Sequence, residues 1–285
     1  MGRGVSSLRH APSMHRKPPP NAREAAIRTR PERDRSTFWK TFGPGLVWAA
    51  TSIGVSHLVQ STRAGAMAGF ALVGVIVVAL VLKYPFFEYG ARYAAATGRS
   101  LVEGYRGMGR WALWLYLAIT IVTAIASISA IVLFTAFLTS FAFGQAWPPA
   151  WTGAALMGAC GVLLALGRYR GLDLTIKALL ALLFVSTIVA AIVTAPRADL
   201  STLALWPGDL IGTAVPFAFL LALVGWMPAP IDVSVWSSLW TLAKDRTSGI
   251  RASVDAATRD FLIGYVGTGL LALAFVSLGA TVLFQ

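Results

Sequence analysis

Charge is what this sequence has least of. Only 13% of its 285 residues are Asp, Glu, Lys or Arg, against about 25% in a soluble domain. With 56% hydrophobic residues and a mean hydropathy of +0.69, that deficit excludes an ordinary water-soluble fold. Cysteine is nearly missing. The single Cys160 sits inside an apolar run, permits no intrachain disulfide and says little about redox compartment. The chain also lacks a Walker phosphate loop, a Gly-x-Ser-x-Gly elbow and any Cys/His cluster at ligand spacing. An ATP-driven pump and a membrane hydrolase are thereby disfavoured. The protein is not expected to be an enzyme, and no cofactor is expected.

Acidic residues are scarce too, 12 against 24 Lys and Arg, which leaves a net charge of +12. This balance is not read as a nucleic-acid signal, and no nucleic-acid partner is expected. Ten of the 24 basic residues lie within residues 1–40, and others sit in short loops between apolar runs, where positive-inside topology puts them. Residues 1–38 have no apolar h-region, so they are not a secretory signal. Rich in Pro, Arg and Ser, they are expected to form a disordered basic cytoplasmic tail.

What is present is a series of apolar runs long enough to span a bilayer, for which about 20 residues suffice. Seven can be marked, over 42–63, 68–91, 111–143, 149–167, 174–195, 211–241 and 261–284, within a membrane domain of residues 39–285. The third is long enough to tilt or to project beyond the bilayer. The loops alternate in charge. Arg92, Arg99, Arg106 and Arg110 follow the second run, Arg168 and Arg170 the fourth, and Lys244, Arg246, Arg251 and Arg259 the sixth. Only Arg63 and Arg197 fall on the other side. This bias predicts a multi-pass protein of the cell (plasma or inner) membrane, surrounded by lipid, with its N-terminus in the cytoplasm. Trp39, Trp111, Trp147, Trp151, Trp206 and Trp240 fall near run ends, as an aromatic belt requires.

Two runs are interrupted where a plain anchor would not be. The first opens with Gly43-Pro44-Gly45 and carries Thr51-Ser52-Ile53-Gly54-Val55-Ser56-His57 near its middle, before Gln60-Ser61-Thr62. The sixth contains Gly225-Trp226-Met227-Pro228-Ala229-Pro230-Ile231-Asp232. Two prolines two residues apart remove two backbone donors and clash with the preceding turn. In hydrocarbon the freed carbonyls must find partners in protein, water or a bound ion. Paired breaks in corresponding positions of two halves point to the binding site of a transporter.

The side chains at these breaks offer a candidate set for a metal: Gly54 through nearby carbonyls, Ser56, His57, Met227 and Asp232. A neutral imidazole suits zinc, iron, copper or nickel, and a thioether favours transition metals. Asp232 stands well inside the sixth run, where a bare lipid-facing carboxylate costs about 2.5–3.5 kcal/mol. It fits a cation ligand or proton carrier, or a counter-ion of Arg63 or Lys83. His57 fits a ligand equally well as a donor to a freed carbonyl, and Met227 fits apolar filling. Glu88 and Arg92 have the i,i+4 spacing of a structural pair. Gly65-Ala66-Met67-Ala68-Gly69 has the small-residue spacing of a packing face.

An ordered set of motifs also resembles a known family. Gly43-Pro44-Gly45, Ala64-Gly65-Ala66, Ala91-Arg92, Ala96-Thr97-Gly98 and Leu101-Val102-Glu103 look like the start of the natural resistance-associated macrophage protein (Nramp) family of divalent metal transporters. Gly167-Arg168-Tyr169-Arg170-Gly171-Leu172-Asp173 with Lys177 is similar to the beginning of that family's fifth helix, and Met227-Pro228 to half of its sixth-helix Met-Pro-His motif. The resemblance covers residues 40–285. It implies an all-α, LeuT-like fold of inverted five-helix repeats, with seven of about eleven transmembrane helices here, as in a fragment or a truncated member. It further implies proton-coupled uptake of manganese or ferrous iron, with the metal as substrate, protons as the coupling ion, and a site between helices one and six. The chain departs from the pattern at that site. The family's first-helix Asp-Pro-Gly-Asn falls on Gly54-Val55-Ser56-His57, its sixth-helix His on Ala229, and the Ala before the Met on Val224. With the first-helix carboxylate gone, transport of another small solute, or a non-transporting relative, are the alternatives.

Overall fold

The structure, a computed structural model, describes residues 40–284 other than 55, 145–146 and 167–168, and leaves the side chains of 166–177 undescribed. The tail expected over 1–38, Trp39 and the side chains of Arg168 and Arg170 lie outside the described residues.

The first apolar run folds as three pieces. Helix α1 (Pro44–Ser52) starts with proline in its first turn, where the missing N–H costs nothing, after Gly43 at φ 140. It stops at Ile53–Gly54. The chain resumes as a π-helical segment, Ser56–Ser61, and tightens into α2 (Thr62–Ala68). Helix α3 (Val73–Thr97) carries the second run and ends on Gly98 in the left-handed region (φ 70). A short helix that hydropathy does not mark, α4 (Leu101–Met108), follows. Ser100 and Glu103 close a reciprocal capping box at its start. The third run is α5 (Arg110–Ala142), 33 residues. At 1.5 Å per residue it is about 50 Å long, well over the roughly 30 Å of a hydrocarbon core. Helices α6 (Pro149–Leu166) and α7 (Tyr169–Thr194) carry the next two runs.

The sixth run, like the first, is not one helix. Residues 211–216 are turn and extended chain, α8 occupies Phe217–Trp226, and α9 (Val233–Ser248) begins only after the proline pair. Helix α10 (Val254–Leu278) continues into a π-helical end, Gly279–Leu283. Among the described residues, four stretches are long and apolar enough to cross a membrane unbroken: Val73–Thr97, Arg110–Ala142, Ala178–Arg197 and Val254–Leu283. The first and sixth runs are each divided at the interruption that their sequence marks. Their two halves are separate helices because the Gly54 and Pro228–Pro230 regions cannot hold a continuous i→i−4 ladder.

The core is built from α1, α2, α3, α9 and α10. Helix α10 packs against α1, α2 and α3, and α9 against α3 and α1. Trp48 of α1, with no exposed surface, stacks on Tyr265 (5.3 Å between ring centroids) and meets Phe261 and Phe87 edge-on at 4.9 and 5.6 Å. Tyr265 in turn donates its hydroxyl proton to the Leu80 carbonyl at 2.6 Å. Two close approaches let the first run lie directly on α10. A Cβ on Gly264 would sit 2.1 Å from the Gly45 carbonyl oxygen, and one on Gly65 would sit 2.1 Å from that of Val276. Only glycine allows backbones this near. Asp260 of α10 is buried and accepts the N–H groups of Gly43 (3.1 Å) and Gly45 (2.7 Å), so a carboxylate from another helix satisfies the open donors of α1.

Helices α5 and α6 pack mainly on each other and on the periphery. Their outward residues, such as Phe141 and Trp151, are among the most exposed apolar side chains of the protein. In a membrane this surface meets acyl chains or further protein.

Candidate functional site

The two breaks face one another. Between them lies a cavity of about 280 Å³, closed on a third side by Ala124, Ser127 and Ile131 of α5. The first run contributes Thr51, Ser52, Gly54, Ser56 and Gln60, and the sixth contributes Trp226, Pro230, Asp232 and Trp236. Breaking the helices makes this polar lining possible, because α1 stops at Ile53–Gly54 and α9 begins only at Val233, so polar residues of both breaks reach the same space.

Asp232 occupies the N-cap position of α9 but makes no capping bond with its side chain. Its carboxylate sits at the N-terminal, positive end of the α9 dipole. The residue is only 4% exposed, and Oδ1 is buried without a hydrogen-bond partner among the described residues. A buried carboxylate oxygen left unmatched costs on the order of 1–3 kcal/mol or more, unless a ligand, water or proton completes it. Around it the hydroxyls are already oriented. Ser52 donates to the Trp48 carbonyl at 2.9 Å, Thr51 to that of Val47 at 2.9 Å, and Ser56 lies 3.3 Å from the Ser52 carbonyl. Each proton points back along the helix, which leaves hydroxyl lone pairs available as oxygen acceptors.

Of the five residues singled out from sequence, Gly54, Ser56 and Asp232 are therefore brought to one cavity. His57 and Met227 are not among its walls. His57 has no exposed surface. Its Nδ1 is 3.1 Å from the Ser56 hydroxyl, and its Nε2 has no hydrogen-bond partner among the described residues. It belongs to the π-helical segment that packs on α10. Met227, also without exposed surface, lies in the apolar core cluster that includes Leu223 and Val276. The alternative in which Asp232 pairs with Arg63 or Lys83 is corrected. Arg63 lies over the Phe219 ring, 5.2 Å from its centroid. Lys83 donates to three carbonyls at the end of α8: Val224, Gly225 (2.9 Å) and Met227 (3.0 Å). A cation at a helix C-terminus satisfies orphan carbonyls and the negative dipole end together. Glu88 and Arg92 form the i,i+4 ion pair (3.5 Å), and Glu88 also accepts from the Thr258 hydroxyl at 3.1 Å.

Two residues were named from the sequence without the roles they hold here: Gln60 only within a polar run, and Lys83 only as a counter-ion of Asp232. Gln60 lines the cavity with a buried, unpartnered Oε1. Its signal was the polar run Gln60-Ser61-Thr62 inside an apolar segment. Lys83 was visible as the one charge within a long apolar stretch, which in a membrane demands a partner.

This arrangement can be set beside known proteins. A family model described as natural resistance-associated macrophage protein-like (Nramp) matches residues 45–285. An uncharacterized protein of Pasteurella multocida (strain Pm70) is 33% identical over 256 residues, covering 87% of this chain and 58% of that protein. The metal transporter Nramp6.2 of Populus trichocarpa is 30% identical over 152 residues, half of this chain and 27% of that one. Among solved structures, the Eremococcus coleocola manganese transporter in complex with an aromatic bis-isothiourea substituted compound superimposes with a TM-score of 0.68. It is 16% identical over 88% of this chain and 53% of its own. Mutant forms of the same transporter superimpose equally well at 17% identity. The chain thus spans 58% of the Pasteurella protein and 53% of the solved transporter, and its match to the Populus protein covers 27% of that one. The fold is the LeuT-like all-α fold of those transporters, and the apolar helices make this a multi-pass membrane protein. The chain belongs to the natural resistance-associated macrophage protein family.

Proposed function

We propose that this chain carries the substrate-binding core of a secondary transporter that moves divalent metal cations, of the manganese and ferrous iron type, in symport with protons. The observation that carries the reading is the cavity lined by the two helix breaks, to which Asp232 brings a buried carboxylate oxygen with no hydrogen-bond partner among the described residues. A divalent ion that sheds water needs negative or strongly dipolar ligands, and hard ions favour oxygen. Asp232, the Ser56 hydroxyl and the carbonyls around Gly54 supply such a set. In this reading Asp232 takes the role of the carboxylate that Gly54 lacks, as cation ligand and as the group that exchanges a proton when the metal leaves. His57 and Met227 hold the π-helical segment and the sixth-helix break in place from behind. The Lys and Arg distribution supports an N-terminus on the cytoplasmic side of the cell membrane.

The test is Mn²⁺ uptake into proteoliposomes holding the 285-residue chain, with an imposed pH gradient and an internal pH indicator. Uptake that acidifies the lumen and is lost in Asp232→Asn is expected. Uptake that Asp232→Asn leaves unchanged removes Asp232 from the mechanism. No uptake of any divalent ion removes the metal reading. A second reading, transport of a small organic cation, is favoured by Trp226 and Trp236 in the cavity wall, whose ring faces attract cations. Competition between Mn²⁺ and quaternary ammonium compounds separates the two.

A further inference from the structure

A second cavity, of about 420 Å³, lies between the later part of the first run and the start of α8. It is walled by Val59 and Arg63 from the first run and by Pro216, Phe219 and Ala222 at and after the start of α8. One residue lines both this space and the central cavity: Gln60. The other polar side chain in that wall, Arg63, lies over the ring of Phe219, which belongs to the same wall. Gln60 also sits in the π-helical segment Ser56–Ser61, the kind of local widening that recurs at functional sites. Ser56 and Gln60, four residues apart, both reach the central cavity, while His57 and Ser61, in the same spacing, are fully buried. Among the described residues the amide oxygen of Gln60 is itself buried and unpartnered, as is Oδ1 of Asp232 on the same cavity.

We propose that Gln60 is a further ligand of the transported cation, binding it through Oε1, and that its side chain stands in the passage between the two cavities. The inference rests on the transport reading above and deepens it. Because the side-chain donors that line the central cavity are oxygens, with the His57 imidazole and the Met227 thioether outside it, the substrate class is a hard, oxygen-seeking divalent cation. An ion arriving from the second cavity exchanges one water for the neutral amide before it meets the carboxylate.

The experiment uses single cysteines, since replacing Cys160 leaves the chain without one. In Cys160→Ser, Gln60→Cys and Gly54→Cys are made separately, reconstituted, and treated with a water-soluble methanethiosulfonate with and without Mn²⁺. The expected result is modification at both positions, slowed by Mn²⁺ at both. Protection at position 54 without protection at position 60 overturns the role of Gln60 and leaves the transport reading standing. Failure of the reagent to reach position 60 overturns the passage. Absence of protection at either position, with no Mn²⁺ uptake by the wild-type chain, overturns the transport reading itself. As a control that keeps the chain's chemistry, Gln60→Glu and Gln60→Ala are compared in uptake. Gln60→Glu is expected to lower the KM for Mn²⁺ and Gln60→Ala to raise it about tenfold, the loss of one ligand to a charged group. An unchanged KM in both variants counts against the proposal.

Discussion

Replacing Gly54 by Asp puts a carboxylate where the family pattern has one, and the structure says what it meets. A Cβ on Gly54 has no atom within 4 Å, and the residue does not hold a positive φ, so an L side chain fits without strain. Gly54 and Asp232 both line the central cavity. A divalent ion held about 4 Å from the new carboxylate gains roughly 8 kcal/mol of Coulomb energy at an effective dielectric constant near 20. Desolvation of the carboxylate and of the ion offsets most of that. A net gain of about 2 kcal/mol, close to thirtyfold in Kd, is the expected outcome. Without metal, two carboxylates in one cavity repel and remain dry, so Gly54→Asp is also expected to melt lower in chelator and to recover with Mn²⁺. The assay is isothermal titration of Mn²⁺ into the purified chain, paired with thermal melting in EDTA and in Mn²⁺. An affinity equal to or weaker than wild type refutes the reasoning, because it means that an added charge at Gly54 does not face the ion.

The remaining predictions concern the frame around the cavity. Lys83→Met leaves the carbonyls of Val224, Gly225 and Met227 without their cation, so a loss of about 1.5–3 kcal/mol is expected, read as a lower melting temperature. Gly264→Val pushes a side chain into the Gly45 carbonyl, 2.1 Å from the added Cβ, and is expected to abolish the monodisperse peak in size-exclusion chromatography. His57→Gln is expected to lower stability while changing the Kd for Mn²⁺ by no more than about twofold, because the ring is packed away from the cavity; titration and melting together check it.

How far the sequence reveals this protein depends on which physical rule governs each part. Apolar runs follow from the cost of polar surface in lipid, and so Arg110–Ala142 is visible within a residue at each end. The breaks are visible because proline and glycine act on their own neighbours: Pro228 and Pro230 stop α8 and delay α9, and Gly54 stops α1. Helix α4 is invisible to hydropathy but not to capping, since Ser100 and Glu103 have the capping-box spacing. Side-chain direction near the first break is a different matter. A 3.6-residue period assigns no facing to a π-helical turn, where the phase slips, so nothing local says that Ser56 and Gln60 face the cavity while His57 turns inward. The partner of Lys83 and the Asp260 bonds to Gly43 and Gly45 join residues 141 to 217 positions apart. Such pairings follow from tertiary packing and leave no periodic trace in the chain.

The central claim is that the two helix breaks together hold a divalent cation. Anomalous X-ray diffraction at the manganese edge, from crystals of the chain grown with Mn²⁺, tests it most directly. The account predicts one peak inside the central cavity, within ligand distance of the Asp232 carboxylate and on the side lined by Ser56 and Gln60. A peak beside the His57 ring and the Met227 sulfur, or none between the breaks at saturating Mn²⁺, contradicts it.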